Sequence, residues 1–189
     1  MEDVHSLVAA MRAMPGVTGG DAQGPGAAGF PANRALSEWL AALAGSDLVI
    51  PWVAEDLRLY GNAASLDAGQ VGYRVDAAGS RLPGWQDDWL VLGQLSGDPL
   101  IARPEGDGCA VLFARHGAGA WQPRVVADAP QGLAAALHVW CDLFLRQYAR
   151  DIYDDTYAVR PAFLDELRRQ VGQVLPAAQA DVFLDMVDG

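Results

Sequence analysis

The sequence predicts an α+β fold in which an antiparallel-rich central sheet is flanked by helices. Three observations carry this prediction. Helical periodicity fills both ends of the chain. Between about residues 70 and 127, short branched and aromatic runs alternate with Gly, Ser, Asp and Pro. Helices and strands are also segregated along the chain, not alternating as in a parallel α/β sheet. At 189 residues, residues 1–189 read as a single domain able to bury roughly 70% of its unfolded surface.

Val4, Leu7, Val8, Met11 and Met14 recur at three- and four-residue spacing with Asp3 available as N-cap, so residues 3–14 read as an amphipathic helix. Residues 15–33 are rich in Gly and Ala and poor in large apolar side chains, and are expected to form a flexible loop. Asn33 can cap a second helix with Leu36, Trp39, Leu40 and Leu43 on one face, ended by Gly45-Ser46. Pro51 suits a first helical position. Trp52, Val53, Leu57 and Tyr60 then predict a third, short helix stopped at Gly61-Asn62. Val71 to Val75 alternates and reads as an edge strand.

The central stretch places an apolar run, Trp89 to Leu92, before a turn over Gly93, Ser96, Gly97, Asp98 and Pro99, and a second run, Leu100 to Ala102, after it. This predicts a buried hairpin, with Pro99 in the turn or at the first position of its second strand. Strands follow at Ala110–Arg115 and Trp121–Ala127, separated by His116-Gly117-Ala118-Gly119. Asp128 and Gln131 form a capping box for a long helix in which Leu133, Leu137, Trp140, Cys141, Phe144, Leu145 and Tyr148 face the sheet. Beyond the acidic turn Asp151–Asp155, Pro161 and Pro176 open two C-terminal helices. The long helix and its successors offer either a homodimer surface or a cover for the sheet.

The chain carries 13 basic and 24 acidic side chains, a net charge of −11, and all its basic residues are Arg. Such a balance disfavours phosphate backbones and anionic membranes and favours basic partners. Met-Glu-Asp opens the sequence with no basic region ahead of an apolar core, and no apolar run approaches roughly 18 residues, so a cytoplasmic protein is expected. Cys109 and Cys141 read as two reduced, buried thiols.

No catalytic, metal or cofactor signature is written on these elements. The Gly16–Gly29 stretch lacks the Lys-Ser/Thr of a phosphate loop, and Ser96 lies in Leu-Ser-Gly, outside a nucleophile elbow. His138, Asp142 and Arg146 at four-residue spacing make a polar stripe on the long helix. Asp151, Asp154 and Asp155 lack the spacing of a calcium loop. Together with Asp87 and Asp88 they form the most concentrated acidity, and are the expected contacts for a basic partner. An enzyme would require His116, His138 and the Asp151 cluster to share one pocket.

Trp85, Trp89, Gly93, Gly97, Asp98 and Pro99, followed by His116, Gly117, Gly119 and Trp121, resemble the central motif of the SUKH superfamily. That superfamily groups yeast regulators of cell-wall glucan synthesis and killer-toxin resistance with many bacterial immunity proteins. The resemblance covers residues 84–150 with the elements in the same order, while Gly61-Asn62 stands where the family commonly has Asn-Gly. It implies a SUKH-like α+β domain whose motif residues are structural. The glycines form turns, the tryptophans pack, and Asp98 binds turn N–H groups. It further implies a non-catalytic immunity protein that neutralises a cognate toxin or effector, such as a nuclease delivered by contact or by type VI secretion. The alternative it implies is a regulatory or scaffold module for an endogenous partner.

Overall fold

A computed structural model describes residues 2–20, 33–117 and 119–187. Most of the Gly-rich segment, residues 21–32, lies outside the described residues, so the expected loop is not addressed there. The described residues form six α-helices and one six-stranded antiparallel sheet. The strands are β1 (Leu48–Ile50), β2 (Leu57–Leu59), β3 (Leu90–Leu95), β4 (Asp98–Glu105), β5 (Gly108–Phe113) and β6 (Arg124–Ala127). They lie in chain order across the sheet, a plain meander. The helices are α1 (Val4–Arg12), α2 (Arg34–Leu43), α3 (Ala63–Gly69), α4 (Pro130–Trp140), α5 (Pro161–Val171) and α6 (Ala177–Asp185).

The sheet begins earlier than residue 70, and the short helix expected from Pro51 is absent. Leu48, Ile50, Leu57 and Leu59 are fully buried while Val49 and Arg58 point outward, a period of two that makes a strand pair. Pro51 to Asp56 is the connection. Asn62 does not stop a helix; its side chain accepts from the Ser65 N–H over 2.9 Å and so caps α3. The buried Asp47 carboxylate supports this corner, accepting from the Gly61 N–H over 2.9 Å and the Ser65 hydroxyl over 2.5 Å. A Cβ at Gly61 would lie 2.0 Å from the Ser46 carbonyl oxygen, so the close approach needs glycine.

Residues 71–75 are turns joined by isolated bridges, not an edge strand. The edges are β1 and β6. The β3–β4 turn is tighter than expected: Ser96 and Gly97, at φ of 51° and 82°, form a two-residue loop of the kind that matches strand twist. Pro99 therefore sits inside β4 opposite Gln94, and Gly93 belongs to β3. The register shifts between Val91 and Gly93, which places Leu90 and Leu92 in the main core and Leu95 there too despite the change of parity.

Two cores result. The larger lies between one sheet face and the helices and contains a chain of aromatic contacts. Trp52 stacks on Trp140 with centroids 4.1 Å apart, Trp140 meets Phe163 edge-on at 5.8 Å, and Trp52 meets Phe183 at 5.8 Å. Both indoles are also hydrogen-bonded: Trp140 Nε1–H donates to the Pro51 carbonyl (2.9 Å), and Trp52 Nε1–H to that of Met186 (3.0 Å). The smaller core covers the opposite face, where Val91, Ile101 and Leu112 meet Leu66, Tyr60 and Trp85.

The long helix departs from expectation at its start. Asp128 and Gln131 form no capping box; Ala129 is the N-cap, without a side-chain hydrogen bond, and Gln131 donates to the Glu2 carbonyl instead. Past Trp140 the helix widens to a π-helical stretch, Cys141–Gln147, which keeps Cys141, Leu143, Phe144 and Leu145 buried together. Arg12, whose guanidinium donates to the Leu43, Ser46 and Asp47 carbonyls, ties α1 to the end of α2. No helix of the described residues is long and apolar enough to cross a membrane.

Candidate functional site

Antiparallel alternation decides what gathers at each end of the sheet. The end reached by Ile50, Leu95 and Phe113 also holds Asp98, Ser96 and the His116 turn. Asp98 shares the helix-facing side with Leu100, and its side chain is 4% exposed. A buried carboxylate must be met by donors. Three meet it: the His116 backbone N–H at 2.7 Å, His116 Nδ1 at 2.5 Å, and the Arg115 guanidinium at 3.0 Å. A carboxylate only accepts, so Nδ1 carries the proton in this contact. Asp98 thus serves the His116-Gly117 turn and not its own hairpin, a partner that sequence reasoning did not identify.

Arg115 spans further, donating to the Asp185 carbonyl at the end of α6, while the Asp185 carboxylate pairs with Arg124. The hairpin, the β5 end and the last helix are therefore joined through one ionic cluster. On the opposite face, Tyr73 donates to the Gly97 carbonyl over 2.8 Å. Its ring lies 5.9 Å from Trp85 and 5.6 Å from Trp121. Trp85 meets Trp89 and Trp121 edge-on, each at 5.5 Å, and its Nε1–H donates to the Trp89 carbonyl. Burial, with Asp98 nearby, raises the Tyr73 phenol above its ordinary range.

A cleft of about 170 Å³ opens beside Asp98 on the helix-facing side. Trp52, Val53, Leu95 and Met186 give it apolar walls, with Glu55 and His116 among its other lining residues. His116 is 60% exposed there. Neither His138 nor Asp151 lines this cleft. His138 lies on α4; its stripe neighbour Asp142 pairs with Arg146 and accepts from Gln147.

The two acidic clusters are not brought together. Asp87 and Asp88 are exposed and lie just before β3, whose first residue, Leu90, pairs with Ala102 at the far end from Asp98. Asp87 pairs with Arg81. The Asp151–Asp155 loop instead stands at the cleft end, because Tyr153 Oη donates to the Val53 carbonyl over 2.9 Å. Asp151 pairs with Arg160, and Asp154 is held low by donors from Thr156, first its hydroxyl and then its N–H. Glu166, on α5, is held down to about 2 by Arg169 and Gln170.

Sequence reasoning missed Trp52, Glu55 and Met186 as lining residues of the cleft. Met186 joins Trp52 and Glu55 only through contacts spanning most of the chain, such as the Trp52–Met186 hydrogen bond, and has no local signal. Among the described residues, no three His, Cys, Asp or Glu side chains gather as metal ligands. No protein-family model matches this chain, and no curated protein or solved structure matches it significantly.

Proposed function

We propose that this chain is a SUKH-like immunity protein of the cytoplasm, non-catalytic, that binds a cognate toxin or effector domain and occludes it. One observation carries the reading. The residues of the SUKH resemblance, scattered over residues 85–121, form two sets of contacts, one on each face of the β3–β4 hairpin. Asp98 bonds the His116 turn twice, and Trp85 joins Trp89 to Trp121. Such residues hold a scaffold; they leave the surface to choose the partner. The net charge of −11 supports a basic partner, a nuclease domain with a cationic cleft being the natural match, since opposite charge speeds encounter and blocks the substrate path.

The test is co-expression with the product of the adjacent gene. Rescue of growth together with co-purification of a stoichiometric complex is the expected result. Failure of both would overturn immunity, and a housekeeping partner recovered instead would favour a regulatory scaffold.

A further inference from the structure

The cleft beside Asp98 lies at an end of the sheet that also carries unpaired acidity. Glu55 lines the cleft, and Asp56 follows it in the exposed β1–β2 connection. The Tyr153–Val53 hydrogen bond fastens the Asp154-Asp155 loop to the back of the same wall. Among the described residues, none of Glu55, Asp56, Asp154 and Asp155 forms an ion pair. The positive group lining the cleft is otherwise engaged, since Arg115 is held by Asp98 and by the Asp185 carbonyl. His116 is turned to Asp98 through Nδ1.

The loop is built to present one side chain. Tyr157 is 89% exposed, the most exposed large apolar residue described. A bridge between Tyr153 and Val159 closes the loop, and the Asp154 carboxylate accepts from the N–H groups of Thr156 and Ala158. An exposed tyrosine on an ordered support loses little entropy on binding, the usual property of an interface anchor.

We propose that this end of the sheet is the partner interface. Its occupant is a basic protein segment that lays the stem of one arginine or lysine along the apolar wall that Trp52, Val53, Leu95 and Met186 give the cleft, sets the charged head against Glu55, and reaches Tyr157 on the neighbouring loop. The chemistry matches a long basic side chain, which buries its methylenes on apolar walls and keeps its charge at a polar rim. A wholly apolar occupant would leave Glu55 desolvated, and an acidic one would be repelled by Glu55, Asp56 and Asp155. This assignment rests on the partner-binding reading above and names its face.

The test uses a synthetic peptide of alternating arginine and glycine as the probe, with two-dimensional amide NMR of the full chain. Saturable shifts should centre on Glu55, Asp56, Leu95, Ser96 and Tyr157, and on the Trp52 indole N–H. Glu55→Lys with Asp56→Lys should weaken the probe about tenfold at low salt, and Tyr157→Ala severalfold. Asp87→Lys with Asp88→Lys, the same charge change at the other end, should have a much smaller effect. Shifts centred on Asp87 and Asp88, or equal weakening by the two charge reversals, would overturn the proposal. Growth rescue against the product of the adjacent gene separates this face from immunity itself. Protection retained by the Glu55→Lys, Asp56→Lys variant would overturn this face while leaving immunity intact. Loss of rescue in the unaltered protein would overturn immunity itself.

Discussion

His116 Nδ1 lies 2.5 Å from Asp98 Oδ1, and the His116 N–H meets the same oxygen at 2.7 Å. One oxygen of one buried carboxylate therefore fixes both the backbone and the ring of a residue eighteen positions away in sequence. The other oxygen receives Arg115. The hairpin end, the β5 end and, through Arg115, the C-terminus of α6 share this single acceptor.

Asp98→Ala removes three charge-assisted contacts at once, while Arg115 keeps the Asp185 carbonyl and the His116 N–H can turn to water, so a loss of about 2 kcal/mol is expected. Asp98→Asn keeps one acceptor oxygen and loses the charge, and should cost less. Urea unfolding of the three proteins decides it; equal stability of Asp98→Ala and the parent would deny Asp98 this role.

Gly93 is needed for a different reason. A Cβ there would lie 2.3 Å from the Arg58 carbonyl oxygen across the β2–β3 pair. Gly93→Ala must push these strands apart, a cost of roughly 2 to 3 kcal/mol expected from overpacking. Gly97→Ala meets no such obstacle, its nearest neighbours being His116 ring atoms at 3.7 Å, and pays only for its φ of 82°, roughly 1 kcal/mol. The larger loss of thermal midpoint should therefore belong to Gly93→Ala.

The thiols give a sharper measurement. Burial pushes Cys109 up to about 11 and Cys141 up to about 12, with Asp142 adding to the second. Both are free and buried. At pH 8 the native protein should show almost no reaction with a thiol-specific aromatic disulfide, and the denatured protein should titrate two groups. Rapid labelling of either cysteine in the native state would contradict the burial.

Much of this architecture is written locally. The Leu7, Val8 and Met11 face of α1, the Asn33 cap of α2 and the Leu133 to Trp140 face of α4 follow from periodicity and capping chemistry, and the structure places them so. The β3, β4 and β5 runs are equally legible. Residues 51–60 were not: Pro51 with scattered apolar residues satisfies a helical pattern loosely, while Leu48, Ile50, Leu57 and Leu59 satisfy a strand pattern fully, and only pairing with β3 selects between them. The Asp128 cap lost to Gln131 being drawn to the Glu2 carbonyl, a contact from the other end of the chain. The candidate interface was half legible. The acidity of Asp154 and Asp155 stands in the sequence, but its union with Trp52, Glu55 and Met186 depends on long-range contacts.

Alkaline stability tests the smaller core. Burial pushes Tyr60 up to about 12, with Tyr73 adding to the shift, so the folded state favours the neutral phenol. A group whose folded pKa is raised binds its proton more tightly when folded. Its contribution is complete below its unfolded value, here 10.0, and is lost as pH rises through about 12. Cys109 and Cys141 act in the same direction from 9.0 upward. The urea midpoint should therefore hold level from pH 7 to near 9, as far as these groups determine it, and fall steadily above that. Tyr60→Phe, which keeps the ring and removes the ionisation, should flatten the fall above pH 10 while leaving the onset near pH 9 to the thiols. A profile that Tyr60→Phe leaves unchanged would place the tyrosine in water and not against α3 in the smaller core.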